Sequence, residues 1–189
     1  SKGLGKAAAL ALASAGADIA LYARNKEDLE AVKASVQSLG RRAEIFCADV
    51  LDEQGVEENV KATLEAFGHI DILVNNAGRT WGAPVEELKI EDWKKVIDLN
   101  LTGTFQVTQR VGREMIKQRS GKIINIVSYA GLIGTDPEYL NAIAYNTSKG
   151  GLIVFTKDLA VKWGAYGIQV NAISPGWFLT EMTKWSTEH

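Results

Sequence analysis

A chain of 189 residues has the length of one α/β domain. Its apolar share of 46% is that of an ordinary globule, and a formal net charge of −2 offers no basic field for nucleic acid or an anionic membrane surface. The longest apolar runs fall far short of a membrane span, and a single cysteine excludes an internal disulfide and suits a reducing compartment, the cytoplasm.

Strand and helix patterns alternate along the chain, which predicts βαβ units and a parallel sheet. The opening Ser1-Lys2-Gly3-Leu4-Gly5 runs into an alanine-rich helix, about 6–15, closed by Gly16. A strand at 18–22 follows, then a charged helix over 26–39 and a strand at 43–47 leading to Asp49. Cys47 lies in the apolar run Glu44-Ile45-Phe46-Cys47-Ala48, so a buried, inert thiol is expected. A helix at 53–67 precedes a strand at 70–74, which enters Asn75-Asn76-Ala77-Gly78. One long helix covers 91–118, and Lys122–Val127 reads as a buried strand. The last pair is a helix at 144–163 and a strand at 168–173. There is no repeat, linker or low-complexity stretch, so residues 1–189 read as a single dinucleotide-binding domain. His69 and His189 have no metal-ligand spacing with Cys47, and no metal is expected.

Two glycines before a small-residue helix suit a pyrophosphate, because the helix start carries free N–H groups. They suit an ordinary βα turn as well. The end of the second strand, Tyr22-Ala23-Arg24-Asn25, has no acid for a ribose 2′-hydroxyl. Arg24 and Lys2 are two cations for a 2′-phosphate, which favours NADP(H) and leaves NAD(H) possible, since Asp28 is near.

Ser128 ends a strand, where ligands of open parallel sheets bind and a hydroxyl can hold a carbonyl oxygen. Asn100 sits inside a helix that it does not favour. Tyr145 and Lys149 are four residues apart, one turn along a helix face. An ammonium beside a phenol favours the phenolate and lowers its pKa, making a proton donor and acceptor for an alcohol oxygen. The pair is weak evidence by itself, since Tyr22 and Lys26 repeat the spacing across a strand end.

From Gly3 to Thr180 the sequence resembles the short-chain dehydrogenase/reductase family. The resemblance is carried by Lys2-Gly3-Leu4-Gly5, Asn75-Asn76-Ala77-Gly78, Asn100, Ser128, Tyr145 with Lys149, and Ser174-Pro175-Gly176, in that order and spacing. It implies a Rossmann-like doubly wound parallel sheet in three α/β/α layers and a nicotinamide cofactor. It implies that Tyr145 is the general acid in ketone reduction and the base in alcohol oxidation. Lys149 would bind the nicotinamide ribose, Ser128 would orient the substrate oxygen, and Asn100 would hold a relay water. Lys2, Gly3, Leu4, Gly5 and Arg24 would meet the phosphates, and Asp49 and Val50 the adenine. Asn76, Ala77 and Gly78 would line the cofactor, with Pro175, Gly176 and Thr180 at its nicotinamide end.

Against the family pattern, the first strand, the first glycine and the C-terminal segment are absent, so the chain reads as a fragment. Residues 1–189 expressed alone are therefore expected to be insoluble or molten, with exposed strand edges. The expected activity is interconversion of a ketone and a secondary alcohol, on a small-molecule substrate, as in 3-oxoacyl thioester reductases and gluconate dehydrogenases. The polar segment Gly134–Asn141 would border the substrate and leans towards a sugar acid or polyol. A non-catalytic scaffold and a nucleotide-sugar epimerase or dehydratase are the alternatives. The resemblance also implies a homotetramer, with helices 91–118 and 144–163 forming one interface.

Overall fold

The computed structural model describes residues 2–178, in two compact units, 2–69 and Ile70–Phe178. The first unit runs α1 (Gly3–Ser14), β1 (Ile19–Ala23), α2 (Lys26–Ser38), β2 (Ala43–Cys47) and α3 (Glu53–Phe67). Asn25 and Asp52 start α2 and α3, their side chains accepting from Asp28 N and Gly55 N. Leu29, Val32 and Val36 recur at helical spacing, and all three are buried against Ala9, Ala13, Ile19, Leu21 and Ala43. β1 and β2 pair in parallel, from Ile19 beside Ala43 to Ala23 beside Cys47.

Cys47 departs from expectation. It is exposed, and its thiol donates to the Arg24 carbonyl at 3.0 Å. An apolar run does not fix which side of a strand end is covered, and β2 becomes more open from Ala43 to Cys47. Tyr22 is the opposite case, since its hydroxyl is tucked onto Asn59 O and Thr63 Oγ1. Burial pushes that phenol up to about 12, and Tyr22 does no more than the half-buried tyrosine expected of it.

The second unit runs β3 (Ile72–Asn75), α4 (Ile90–Ile97), α5 (Gly103–Gln118), β4 (Gly121–Ile126), α6 (Ile143–Trp163) and β5 (Ile168–Ile173). Its three strands are parallel in the order β3-β4-β5. Parallel strands joined through helices make this an α/β protein. Among the described residues β1 is paired on one side only, to β2, and β3 on one side only, to β4.

The expected single helix over 91–118 is instead α4 and α5 joined by a π-helical turn, Asp98–Thr102. Asn100, at the centre of that turn, is fully buried and spends its amide outside the helix. A helix yields its regular ladder where a side chain is recruited elsewhere, and such turns cluster at functional sites.

A chain of buried side-chain hydrogen bonds runs through the unit. Asn75 Nδ2 donates to Thr108 Oγ1 and to Asn125 Oδ1, both at 2.8 Å. Asn125 Nδ2 donates to Thr156 Oγ1 at 2.9 Å. It therefore links α5, β3, β4 and α6 at the end of the strands that leads to Asn76 and Ser128.

Candidate active site

The geometry starts with how α6 sits. Its first turns carry Ala144, Ser148, Gly150 and Gly151, side chains small enough for close approach. A Cβ placed on Gly131 would lie 2.6 Å from both Gly150 N and Lys149 C. The helix therefore packs backbone to backbone on the short turn Tyr129–Gly131 that follows Ser128. This contact brings Ser128, Tyr145 and Lys149 together.

Ser128 accepts from Ala130 N at 3.2 Å, which fixes its side chain, and it stands near enough to the Tyr145 phenol to lower its pKa. Lys149 is 4% exposed, with its ammonium 5.6 Å from the centroid of the Tyr145 ring. That ammonium donates to Ile126 O at 2.7 Å, at the last residue of β4. Sequence reasoning missed this acceptor, because a backbone carbonyl leaves no trace in residue type.

The electrostatics differ from the sequence expectation. Burial raises the Tyr145 pKa above its ordinary value, more than the Ser128 hydroxyl lowers it, and Tyr129 adds to the rise. Burial lowers Lys149 to about 8. The expectation that Lys149 depresses Tyr145 is corrected here: desolvation dominates both groups.

The Lys149 shift carries a stability signature. Between about 8 and its ordinary 10.5 the unfolded chain holds the proton and the folded chain does not, so folding becomes more favourable as pH rises. That gap is worth roughly 3 kcal/mol or a little more. The stability of the native protein relative to a Lys149→Met variant should therefore improve from pH 8 to pH 10 in paired denaturant titrations. A difference that stays flat with pH would contradict a desolvated, charged Lys149.

Asn100 is a bracket. Its Oδ1 accepts from Arg79 N at 2.8 Å, and its Nδ2 donates to Arg79 O and to Ser148 Oγ, both at 2.9 Å. It ties the turn after β3 to α6. Both amide N–H groups are engaged, so a water held by this side chain would use the remaining oxygen lone pair.

Asn76, Ala77 and Gly78 follow β3 in the same turn. A Cβ on Gly78 would lie 3.3 Å from Asn100 Oδ1 and 3.6 Å from Lys149 Nζ, so a bare glycine keeps the ammonium open. Lys149 spends one N–H on Ile126 O and has two left for ligand oxygens. Those donors and that cradle fit the ribose of a nicotinamide cofactor. Pro175 O accepts from Tyr129 N at 3.3 Å, and Gly176 stands in open space. Thr180 lies outside the described residues.

In the first unit, Gly3 has φ +51 at the start of α1, a left-handed conformation that glycine adopts freely. Leu4 and Gly5 continue the first turn of α1. Lys2 pairs with Asp28 at 3.4 Å, and Arg24 with Asp49 at 3.9 Å. Asp49 Oδ1 also accepts from Leu51 N, closing the turn that holds Val50. Both cations are largely exposed, and exposed pairs of this kind are worth about 0–1 kcal/mol, so either can be surrendered to a phosphate.

A family model described as short chain dehydrogenase matches residues 1–189. The chain belongs to the short-chain dehydrogenase family. Members of this family are oxidoreductases that act on CH–OH groups with a nicotinamide cofactor. A 3-oxoacyl-[acyl-carrier-protein] reductase of Synechocystis is 44% identical over 185 residues, 97% of this chain and 73% of that protein. A gluconate 5-dehydrogenase of Gluconobacter oxydans is 37% identical over 97% of this chain and 70% of its own. Among solved structures, NAD+-bound xylitol dehydrogenase superposes with a TM-score of 0.88 at 42% identity. That match covers 92% of this chain and 65% of the other. These likenesses give this short-chain dehydrogenase the Rossmann fold that the family resemblance implied. No helix among the described residues is long and apolar enough to cross a membrane.

Proposed function

We propose that the protein is an NADP(H)-preferring oxidoreductase that interconverts a ketone and a secondary alcohol, within one dinucleotide-binding domain. The observation that carries this reading is the cluster of buried Ser128 and Lys149 with half-buried Tyr145, the phenol standing beside the Ser128 hydroxyl. When bound, the nicotinamide supplies the hydride chemistry. Ser128 donates to the substrate oxygen and holds it beside the Tyr145 hydroxyl. Tyr145 gives its proton to that oxygen in reduction and takes one from it in oxidation. A raised pKa keeps Tyr145 protonated at neutral pH, which suits the reductive direction. Lys149 holds ribose hydroxyls, and Asn100 keeps the turn at Arg79 and α6 in register.

The names of relatives support two substrate classes, a 3-oxoacyl thioester and a sugar acid or polyol. Assay of NADPH oxidation with a ketone panel tests the activity. Cofactor binding without turnover of any ketone would favour a scaffold, and redox-neutral conversion of a nucleotide sugar would favour an epimerase. For the assembly, we propose a cytoplasmic homotetramer. Phe105 on α5 and Val154 and Val161 on α6 are exposed apolar side chains that support it.

Cofactor preference rests on Lys2 and Arg24, and the NAD+ of the xylitol dehydrogenase neighbour is the reason to test it. Ala23→Asp with Arg24→Leu puts a carboxylate where the 2′-phosphate would lie and removes a cation. A hydrogen bond to a charged group is worth about 1.5–3 kcal/mol, so preference should move towards NADH at least tenfold. An unchanged ratio of kcat/KM for the two cofactors would leave Arg24 as a loop residue.

A further inference from the structure

Arg79 stands apart from the other arginines. Arg24, Arg41 and Arg42 pair with carboxylates. Arg119 donates to Ala165 O and lies over the Tyr166 ring, Arg110 donates to Gln109 Oε1, and Arg113 is engaged as well. Arg79 is half-buried, and among the described residues its guanidinium meets no carboxylate, carbonyl or ring. Its backbone is nevertheless held on both sides, with N–H and C=O both bonded to the fully buried amide of Asn100.

Among the described residues the fold thus presents an unpaired cation from a clamped backbone. The position is next to Gly78, whose missing Cβ would be 3.6 Å from Lys149 Nζ, so the arm starts beside the proposed reaction centre. Residues 80–85 carry no charge, and Tyr129–Ser148 carry only the acids Asp136 and Glu138. Asp136 turns back on its own loop, accepting from Glu138 N. A half-buried guanidinium without a counter-charge is costly, and the cost is recovered when an anion arrives in planar, two-pronged contact.

We propose that Arg79 is a specificity residue that binds a carboxylate on the substrate, so that the site takes a keto acid or hydroxy acid in preference to its neutral counterpart. The inference rests on the ketone–alcohol reading above and narrows it. The competing source of anionic oxygen is a phosphate of the cofactor.

The test compares the native protein with Arg79→Gln and Arg79→Lys. Calorimetric titration with D-gluconate as the carboxylate probe and xylitol as the neutral probe needs no turnover. Gluconate should bind at least tenfold more weakly to Arg79→Gln and to an intermediate degree to Arg79→Lys, which keeps the charge and loses the two-pronged contact. Xylitol affinity and NADPH affinity should stay within threefold. In turnover, the kcat/KM of a keto acid should fall while that of its amide holds. Equal losses for both probes, no loss for either, or no gluconate binding by the native protein would overturn the proposal. A loss confined to NADPH would overturn it in favour of a phosphate contact. If no ketone is turned over by the native protein, the oxidoreductase reading falls, and the two binding probes still decide the role of Arg79. The variants leave the Asn100 bracket intact, because its bonds are to the Arg79 backbone.

Discussion

In the complete protein, Tyr145→Phe should fold, bind cofactor and lose turnover by about a hundredfold to ten-thousandfold, the range that a positioned acid or base supplies. The change keeps the ring and removes the hydroxyl that carries its only transferable proton. Ser128 keeps its hydrogen bond from Ala130 N, so the turn beside the ring should hold its shape. In the native protein the raised pKa of Tyr145 has a directional consequence. Ketone reduction, which needs the phenol, should persist through neutral pH, while alcohol oxidation, which needs the phenolate, should climb as pH becomes alkaline. Initial rates in both directions across pH, with NADPH affinity from fluorescence, check both statements. A variant that keeps near-normal turnover would remove Tyr145 from the chemistry.

The second large effect is expected at Gly131, in the turn that packs on the backbone of Lys149 and Gly150. Alanine there would put a Cβ 2.6 Å from Gly150 N and Lys149 C, and backbone atoms of a helix cannot give locally. α6 must shift as a body, carrying Tyr145 and Lys149 away from Ser128. Overpacking of this kind costs about 1–3 kcal/mol. A small displacement of reacting groups costs turnover in addition. Gly164→Ala is the control, since nothing lies within 4 Å of the added carbon. Thermal melts and kcat for the two variants should separate clearly. A Gly131→Ala protein that melts and turns over like the native one would refute the backbone-contact account of the site.

Much of this architecture could be read from residue patterns. Helix starts at Asn25 and Asp52 and the apolar spacing of Leu29, Val32 and Val36 are local signals, and the elements follow them. Ser128, Tyr145 and Lys149 were found from a strand end and a helical spacing, and the structure places them together. What escaped depends on tertiary partners. The π turn at Asp98–Thr102 arises because the Asn100 amide is drawn to Arg79 and Ser148, which are distant in sequence. The exposure of Cys47 depends on what covers a strand end. The pKa directions depend on burial, which a single charge pair on paper does not convey. Arg79 looks ordinary in a loop, and what singles it out is its lack of a side-chain partner among the described residues, where other arginines are paired.

The side-chain ladder from Thr108 through Asn75 and Asn125 to Thr156 bears on how this protein can change over time. Each rung supplies the donor or acceptor its neighbour needs, in a place water does not reach. Changing one rung strands its partner, at roughly 1–3 kcal/mol, whereas changing both sides to matched apolar shapes is nearly neutral. The four positions should accordingly be inherited as a block. Descendants should show either the whole polar set or a wholly replaced one, and lineages caught between should be rare. Mutational drift in this unit is thus channelled by grammar as much as by fitness at the reaction centre: an acceptable substitution at Asn125 depends on what stands at positions 75 and 156.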